Sequence, residues 1–385
     1  MKNRNLTTVL LVVAQFLGTS LWFVGNVVLP QHPVFTTADE SIIGFALSAV
    51  QLGFIFGTLI IALFNLADRI KSSLLFFLSC TFGSLMNLLL LNENLDVDWL
   101  VASRFFVGLA LAGIYPVGIK IVSDHYQEGL GKALGYLVGA LVLGTALPHF
   151  LSVLDVAFDF RFVTITTSCA AFLGGLSVLL FVPKGPFEKR PPKFKIRKIL
   201  TVFKNKPLFR AALGYFGHMW ELYAFWGFVP FFVSKYFNVA IQNDSVAWIS
   251  FLTIGAGTLS CIIAGNLSGK WGSYKTARFN LTISGVLCLL SPLFFLLSPS
   301  VFIGLMLIWG AVVVADSAQF STLVAMGSAS ENRGTAITLV NCIGFAITVV
   351  SIQLLALLVD YIPANCIFLV LAVGPLCGIL LSREK

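Results

Sequence analysis

Charge is scarce in this sequence. Of its 385 residues only 11% are charged, against about 25% in an ordinary soluble domain. With 58% hydrophobic residues and a mean hydropathy of +0.93, a soluble globule would leave much apolar surface in water. A single soluble enzyme domain is therefore excluded. Disorder is excluded by the same composition, which includes 36 Phe. No phosphate-binding loop is present, so ATP-driven pumping has no support. No His/Cys/carboxylate cluster has metal-ligand spacing; His218-x-x-Glu221 resembles half of a di-iron pair but occurs once. No CxxC occurs, and the seven cysteines, Cys80, Cys169, Cys261, Cys288, Cys342, Cys366 and Cys377, all lie in apolar runs, where they read as small apolar filler. No cofactor is implied, and the chain is not expected to be an enzyme.

What is present is a series of long charge-free windows. A spanning helix needs about 20 apolar residues. The windows place twelve spans near 7–30, 42–66, 72–92, 99–119, 133–154, 162–182, 211–234, 246–268, 279–297, 301–322, 334–358 and 362–381. The uncharged stretch 279–315 is too long for one span, and Ser298-Pro299-Ser300 divides it. The first window follows Lys2 and Arg4, as in a signal peptide. It is long and has no small-x-small cleavage site, so it is kept as span 1. The expected fold is an all-α membrane protein of twelve transmembrane helices.

The net charge of +8 would suit nucleic acid, but its distribution argues for topology instead. Twenty-two of the 25 basic residues fall in the alternate loops that include both termini, and only Arg161 and Lys235 in the opposite set. By the positive-inside rule both termini and the middle loop are cytoplasmic. The expected partners are a lipid bilayer, a small-molecule substrate and protons, with no nucleic acid and no oligomeric partner, and the expected location is the cell membrane, in bacteria the inner membrane. The chain divides into a half at 1–182, a basic linker at 183–210 and a second half at 211–385. Within the linker, FKIRKILTVF can form an amphipathic helix on the anionic leaflet; a plain solvated connection explains the composition equally well.

The chain also repeats itself. Phe23-Val24-Gly25 aligns with Phe225-Trp226-Gly227, Gly57-Thr58-Leu59 with Gly257-Thr258-Leu259, and Gly108 with Gly310. Two six-helix pseudo-repeats of parallel orientation lead to the expectation of a midplane site between halves and rocking-type alternating access. At this point the sequence resembles the major facilitator superfamily. Its loop motif between spans 2 and 3 is kept in Asp68-Arg69 and Lys71, with Phe64 in place of the first glycine. The counterpart, Gly265-Asn266-Leu267-Ser268-Gly269-Lys270-Trp271-Gly272, keeps the glycines and loses the aspartate. Ser330-Glu331-Asn332-Arg333-Gly334-Thr335-Ala336 resembles the family's loop before span 11, and Arg104-x-x-x-Gly108 its span-4 arginine motif. The resemblance implies a gate at Asp68, Arg69, Lys270, Glu331 and Arg333, with Asp68 facing the start of span 11. Neither span 2 nor span 8 has the arginine of nitrate carriers. Gly135, Gly144 and Pro148 make half of the drug-antiporter motif of span 5.

Ionisable side chains at membrane depth mark candidate functional residues. Glu221 lies roughly 16 Å and 21 Å from Arg210 and Lys235 along the helix, near the midplane. His218 is one turn earlier on the same face, and Asp316 lies in the second half of span 10. These three are the candidate proton-coupling residues. Arg104 and His149 each lie six residues from an acidic boundary, Asp98 and Asp155. They either form a cationic vestibule that attracts an anion or, for the arginine, snorkel outward. Gln15, Trp22 and Asn26 share one face of an uninterrupted span 1, with Gly18. Tyr223 and Trp226 in span 7 and Asn341 in span 11 complete the candidate substrate-binding set. The expected function is proton-coupled secondary transport of a small organic anion or zwitterion. The alternatives are proton antiport of amphiphilic drugs or lipid-like molecules, and a scaffold that no longer transports, against which the desolvation cost of Glu221 argues.

Overall fold

The computed structural model describes residues 2–33, 41–126, 130–154, 159–187, 205–328 and 333–382. Contacts within the chain divide it into two compact units, Met1–Pro191 and Pro192–Lys385. Among the described residues ten helices are long and apolar enough to cross a membrane, and the pair Asn5–Thr19 and Val24–Gln31, bent by 42°, makes an eleventh. Lys206–Phe237, the longest helix at 32 residues, is not among these by apolarity and corresponds to the expected span 7. The spans keep their numbers from the sequence.

The first unit holds span 1 and its broken continuation, span 2 (Ser41–Leu63), span 3 (Ser72–Leu88), span 4 (Val97–Ser123), span 5 (Leu130–Leu154) and span 6 (Phe160–Phe181). The break in span 1 corrects the expectation of an uninterrupted helix. Trp22 and Asn26 therefore do not continue the helical face of Gln15. No proline lies there. Instead the hydroxyl of Thr19 donates to the Gln15 carbonyl and that of Ser20 to the Leu17 carbonyl. Such back-bonding draws carbonyls away from the helix ladder and bends it. Trp22 N–H and Asn26 N–H reach only three residues back.

The second unit holds span 7 (Lys206–Phe237), span 8 (Asp244–Trp271), span 9 (Ser273–Leu290), span 10 (Pro299–Ala315 and Ser317–Met326), span 11 (Arg333–Leu358) and span 12 (Ala364–Ala372 and Val373–Leu381). Ser298 and Pro299 open span 10 as the sequence anticipates, with Pro299 in the first turn, where its missing N–H costs nothing.

The two units repeat one packing device. A Cβ on Gly108 would run into the carbonyl of Val50, so spans 4 and 2 touch backbone to backbone. A Cβ on Gly310 would run into the carbonyl of Thr253, and spans 10 and 8 touch in the same way. The match of Gly108 with Gly310 in the sequence is thus a repeated close helix crossing, which small residues allow. The connections after spans 2 and 8 each contain a residue of positive φ, Asn65 (φ 50°, ψ 42°) in one and Gly272 (φ 80°, ψ 152°) in the other, in different conformations. Asn is among the few side chains that tolerate the left-handed helical conformation of Asn65, whereas the conformation of Gly272 is open essentially to glycine alone.

Candidate functional site

Span 7 is set by its ends. Asn205 caps it by accepting from Leu208 N–H at 3.5 Å, Pro207 sits in its first turn, and Asn238 closes it in the left-handed conformation. Glu221 then falls about 22 Å from one end and about 24 Å from the other at the helical rise. It is 1% exposed. Three groups converge on one of its oxygens. Ser284 Oγ of span 9 donates to Oε1 at 2.5 Å, Trp309 Nε1 of span 10 at 2.7 Å and Cys288 Sγ of span 9 at 3.3 Å. Among the described residues no donor lies on Oε2.

His218 and Asp316 are equally buried. His218 Nδ1 lies 2.8 Å from Asp316 Oδ1, at ion-pair distance but out of line for a hydrogen bond. Two of the three candidate proton-coupling residues thus lie side by side. Asp316 sits at the break in span 10, where the helix turns between Ala315 and Ser317, and that break brings its short side chain to span 7. The close approach of spans 7 and 12 beside it depends on Gly217, where a Cβ would strike the backbone of Gly374 and Gly378.

Trp309 joins the carboxylate to an aromatic cluster. Its ring stacks on Phe225 at 4.6 Å and meets Phe368 at 5.4 Å and Phe294 at 5.9 Å. Tyr223 and Trp226 lie edge to face at 5.6 Å, and Tyr223 also meets Phe345 at 5.3 Å. Asn341 is half-buried on span 11.

In the first unit Arg104 does not snorkel. It is 1% exposed, and its guanidinium donates to Asn87 Oδ1 at 2.8 Å, Ser103 Oγ at 3.2 Å and the Met86 carbonyl at 3.4 Å. Asn87 in turn donates to Ser168 Oγ, Thr167 Oγ1 and the Thr164 carbonyl. Among the described residues no carboxylate neutralises this buried cation. His149 is buried, with Nε2 unpartnered, and no contact joins it to Arg104. Gln15 is buried with both amide atoms unpartnered, and Gln51 of span 2 shares that condition. Trp22 and Asn26 are buried as well, the former 5.2 Å from the ring of Phe54.

Of the gating residues, Arg69 and Lys270 are exposed. The side chains of Asp68 and Arg333, and all of Glu331, lie outside the described residues, as do residues 188–204 of the basic linker. What is described there is a contact at Lys120, which bridges Asp124 at 3.1 Å and Ser72 at 3.3 Å, tying the end of span 4 to the start of span 3.

Sequence reasoning overlooked Ser284, Cys288, Trp309, Asn87 and Gln51. The first three look like filler in apolar runs, and only the fold reveals their shared target. Asn87 and Gln51 carried a readable signal, an uncharged amide within a span.

A model of the Major Facilitator Superfamily matches residues 11–352. The niacin transporter NiaP of Acinetobacter baylyi is 30% identical over 167 residues, covering 36% of this chain and 36% of that protein. The match therefore spans little more than a third of that relative's length. The crystal structure of the human organic anion transporter MFSD10 (TETRAN) superimposes with a TM-score of 0.74, covering 99% of both chains at 16% identity. At that identity the likeness is one of fold.

Proposed function

This chain belongs to the Major Facilitator Superfamily, and we propose that this secondary transporter moves a small organic anion or zwitterion by alternating access, driven by protons that bind at Glu221. The observation that carries the reading is the carboxyl group of Glu221, buried at the middle of span 7 with one oxygen saturated by donors and the other without any. An ionised carboxylate is costly to hold at such depth. A group that alternates between acid and carboxylate as water reaches it couples protonation to conformation. The His218–Asp316 pair is the second titratable element in the same unit and relays or stores charge as Glu221 empties.

Arg104 supports the anionic substrate. A buried guanidinium whose acceptors among the described residues are all neutral gains from a carboxylate, because charge-assisted contacts with Arg are among the strongest in proteins. On the same unit Gln15, Gln51, Trp22 and Asn26 supply amides and rings suited to an organic solute, and His149 an unpartnered ring nitrogen; the second unit carries the further candidates Tyr223, Trp226 and Asn341. The name of the niacin transporter agrees with this class. The antiporter alternative has less support, since Gly144 is accounted for by packing: a Cβ there would strike Thr19 Oγ1 and the Phe16 carbonyl. We further propose that the protein works as a monomer in the cell membrane, in bacteria the inner one, with both termini cytoplasmic and its gate at Asp68, Arg69, Lys270, Glu331 and Arg333.

The test uses proteoliposomes and nicotinate, after a thermal-shift screen has confirmed its binding or supplied a better carboxylate. Glu221→Gln mimics the protonated acid in shape. It is expected to bind and exchange substrate while losing net uptake driven by an imposed pH gradient. Gradient-driven uptake equal to wild type would remove Glu221 from the coupling step.

A further inference from the structure

The three contacts of Glu221 fall on the same oxygen, and one of them has a fixed sense. An indole N–H only donates, so Oε1 must accept from Trp309 at 2.7 Å, and it also takes the Ser284 hydroxyl at 2.5 Å. With the Cys288 thiol at 3.3 Å, the acceptor capacity of Oε1 is filled. A proton on Oε1 would displace one of these donors. No such conflict exists at Oε2.

We infer that Trp309 and Ser284 are positioning residues that confine the exchangeable proton of Glu221 to Oε2 and set the pH at which it leaves. This deepens the reading of Glu221 as the proton site. On release, the Oε2–H bond breaks and the proton passes to water, leaving a carboxylate whose charge is stabilised on Oε1 by two hydrogen bonds and a weaker thiol contact. Donors to the charged form favour it. The aromatic cluster gives the arrangement its rigidity, because Trp309 is stacked on Phe225 and braced by Phe294 and Phe368, and its N–H cannot swing aside. The titratable groups around the carboxyl are His218 on its own helix, Cys288 on span 9 and Asp316 on span 10, which interacts electrostatically with Glu221; Cys261 of span 8 faces Asp316. Spans 11 and 12 carry no charged side chain between Ala336 and Leu358 or between Ala364 and Leu381.

Infrared titration of the full-length protein in liposomes reads this without a substrate. The carboxylic acid stretching band that disappears in Glu221→Gln reports the proton on this group, and its pH midpoint is the measured quantity. Trp309→Phe keeps an aromatic ring for the stack and removes only the donor. Ser284→Ala removes the second donor, and Ser284→Thr restores a hydroxyl. Losing one donor is expected to move the midpoint upward by about one pH unit, the size of a hydrogen bond to a charged group shared among three donors. Trp309→Phe and Ser284→Ala should both show the shift, and Ser284→Thr should return most of it. Midpoints equal to wild type in both donor deletions would overturn the inference. So would a Ser284→Thr midpoint displaced as far as that of Ser284→Ala, or a wild-type band that does not titrate. If Trp309→Phe fails to fold, the two serine variants decide alone. A titrating band that shifts as described, beside undiminished gradient-driven uptake by Glu221→Gln, would sink the coupling reading and leave this inference standing.

Discussion

Arg104 and His32 show how much a single buried ionisable group decides. Arg104 sits among amide, hydroxyl and carbonyl oxygens with no carboxylate partner among the described residues, so Arg104→Gln removes a cation that its neighbours do not neutralise. The variant is expected to fold and to bind nicotinate about ten- to a hundredfold more weakly, the loss typical of one hydrogen bond to a charged group. Equilibrium binding to purified protein checks this, and wild-type affinity would remove the main support for an anionic substrate. His32 lies just beyond span 1, packed at 5.2 Å against the ring of Phe160. Burial holds its imidazole below the ordinary value of 6.5, against the opposing pull of the Leu90 and Asn92 carbonyls and Glu93. The unfolded chain therefore takes up a proton at a pH where the folded chain does not. Stability is at its full value above 6.5 and falls as pH drops below it. The melting temperature should decline between neutral pH and about pH 5, less steeply in His32→Gln, with parallel curves counting against the assignment.

At the scale of the helix, the crossings at Gly108 and Gly310 are the least forgiving contacts in each unit. An added Cβ at either would meet a backbone carbonyl of the neighbouring span, and neither helix can yield without moving as a whole. Gly108→Ala and Gly310→Ala are each expected to cost about 3 kcal/mol or more, beyond ordinary overpacking. Gly135 has no atom within reach of such a Cβ, and Gly135→Ala should be neutral or stabilising by up to about 1 kcal/mol from helix propensity. Thermal unfolding in detergent distinguishes the two classes. The spans themselves were legible because hydrocarbon thickness dictates a length of charge-free sequence, and the turn at Pro299 because proline has one reading at a helix start. The break in span 1 was not legible. It lies where the hydroxyls of Thr19 and Ser20 bond backwards, and bonds of the same kind at Ser84, Thr164 and Ser168 leave their helices unbroken. The turn at Asp316 was hidden similarly, since no glycine or proline marks it.

For the molecule as a whole, the repeat and the charge asymmetry were the informative signals, because each sums many weak positions. The match of Gly108 with Gly310 turned out to be a pair of matching helix crossings, while the convergence on Glu221 drew on spans 7, 9 and 10, whose side chains no local pattern connects. Periodicity reports which face of a helix is buried; it does not report what stands opposite. The asymmetry of basic residues, twenty-two against two, carries its own expected outcome. A fluorescent protein fused after Lys385 should mature and fluoresce, and alkaline phosphatase at the same place should stay inactive. The reverse pattern would invert the assigned topology.

The bond from Trp309 to Glu221 has an optical consequence. The emission of an indole depends on the charge next to it, and here the ring nitrogen is bound to the carboxyl group proposed to gain and lose the proton. The chain has seven tryptophans. With the other six replaced by phenylalanine, the protein would carry an unlabelled lamp wired to its own carboxyl group, and loading and release of the proton during turnover would be visible as a change of colour and brightness in real time.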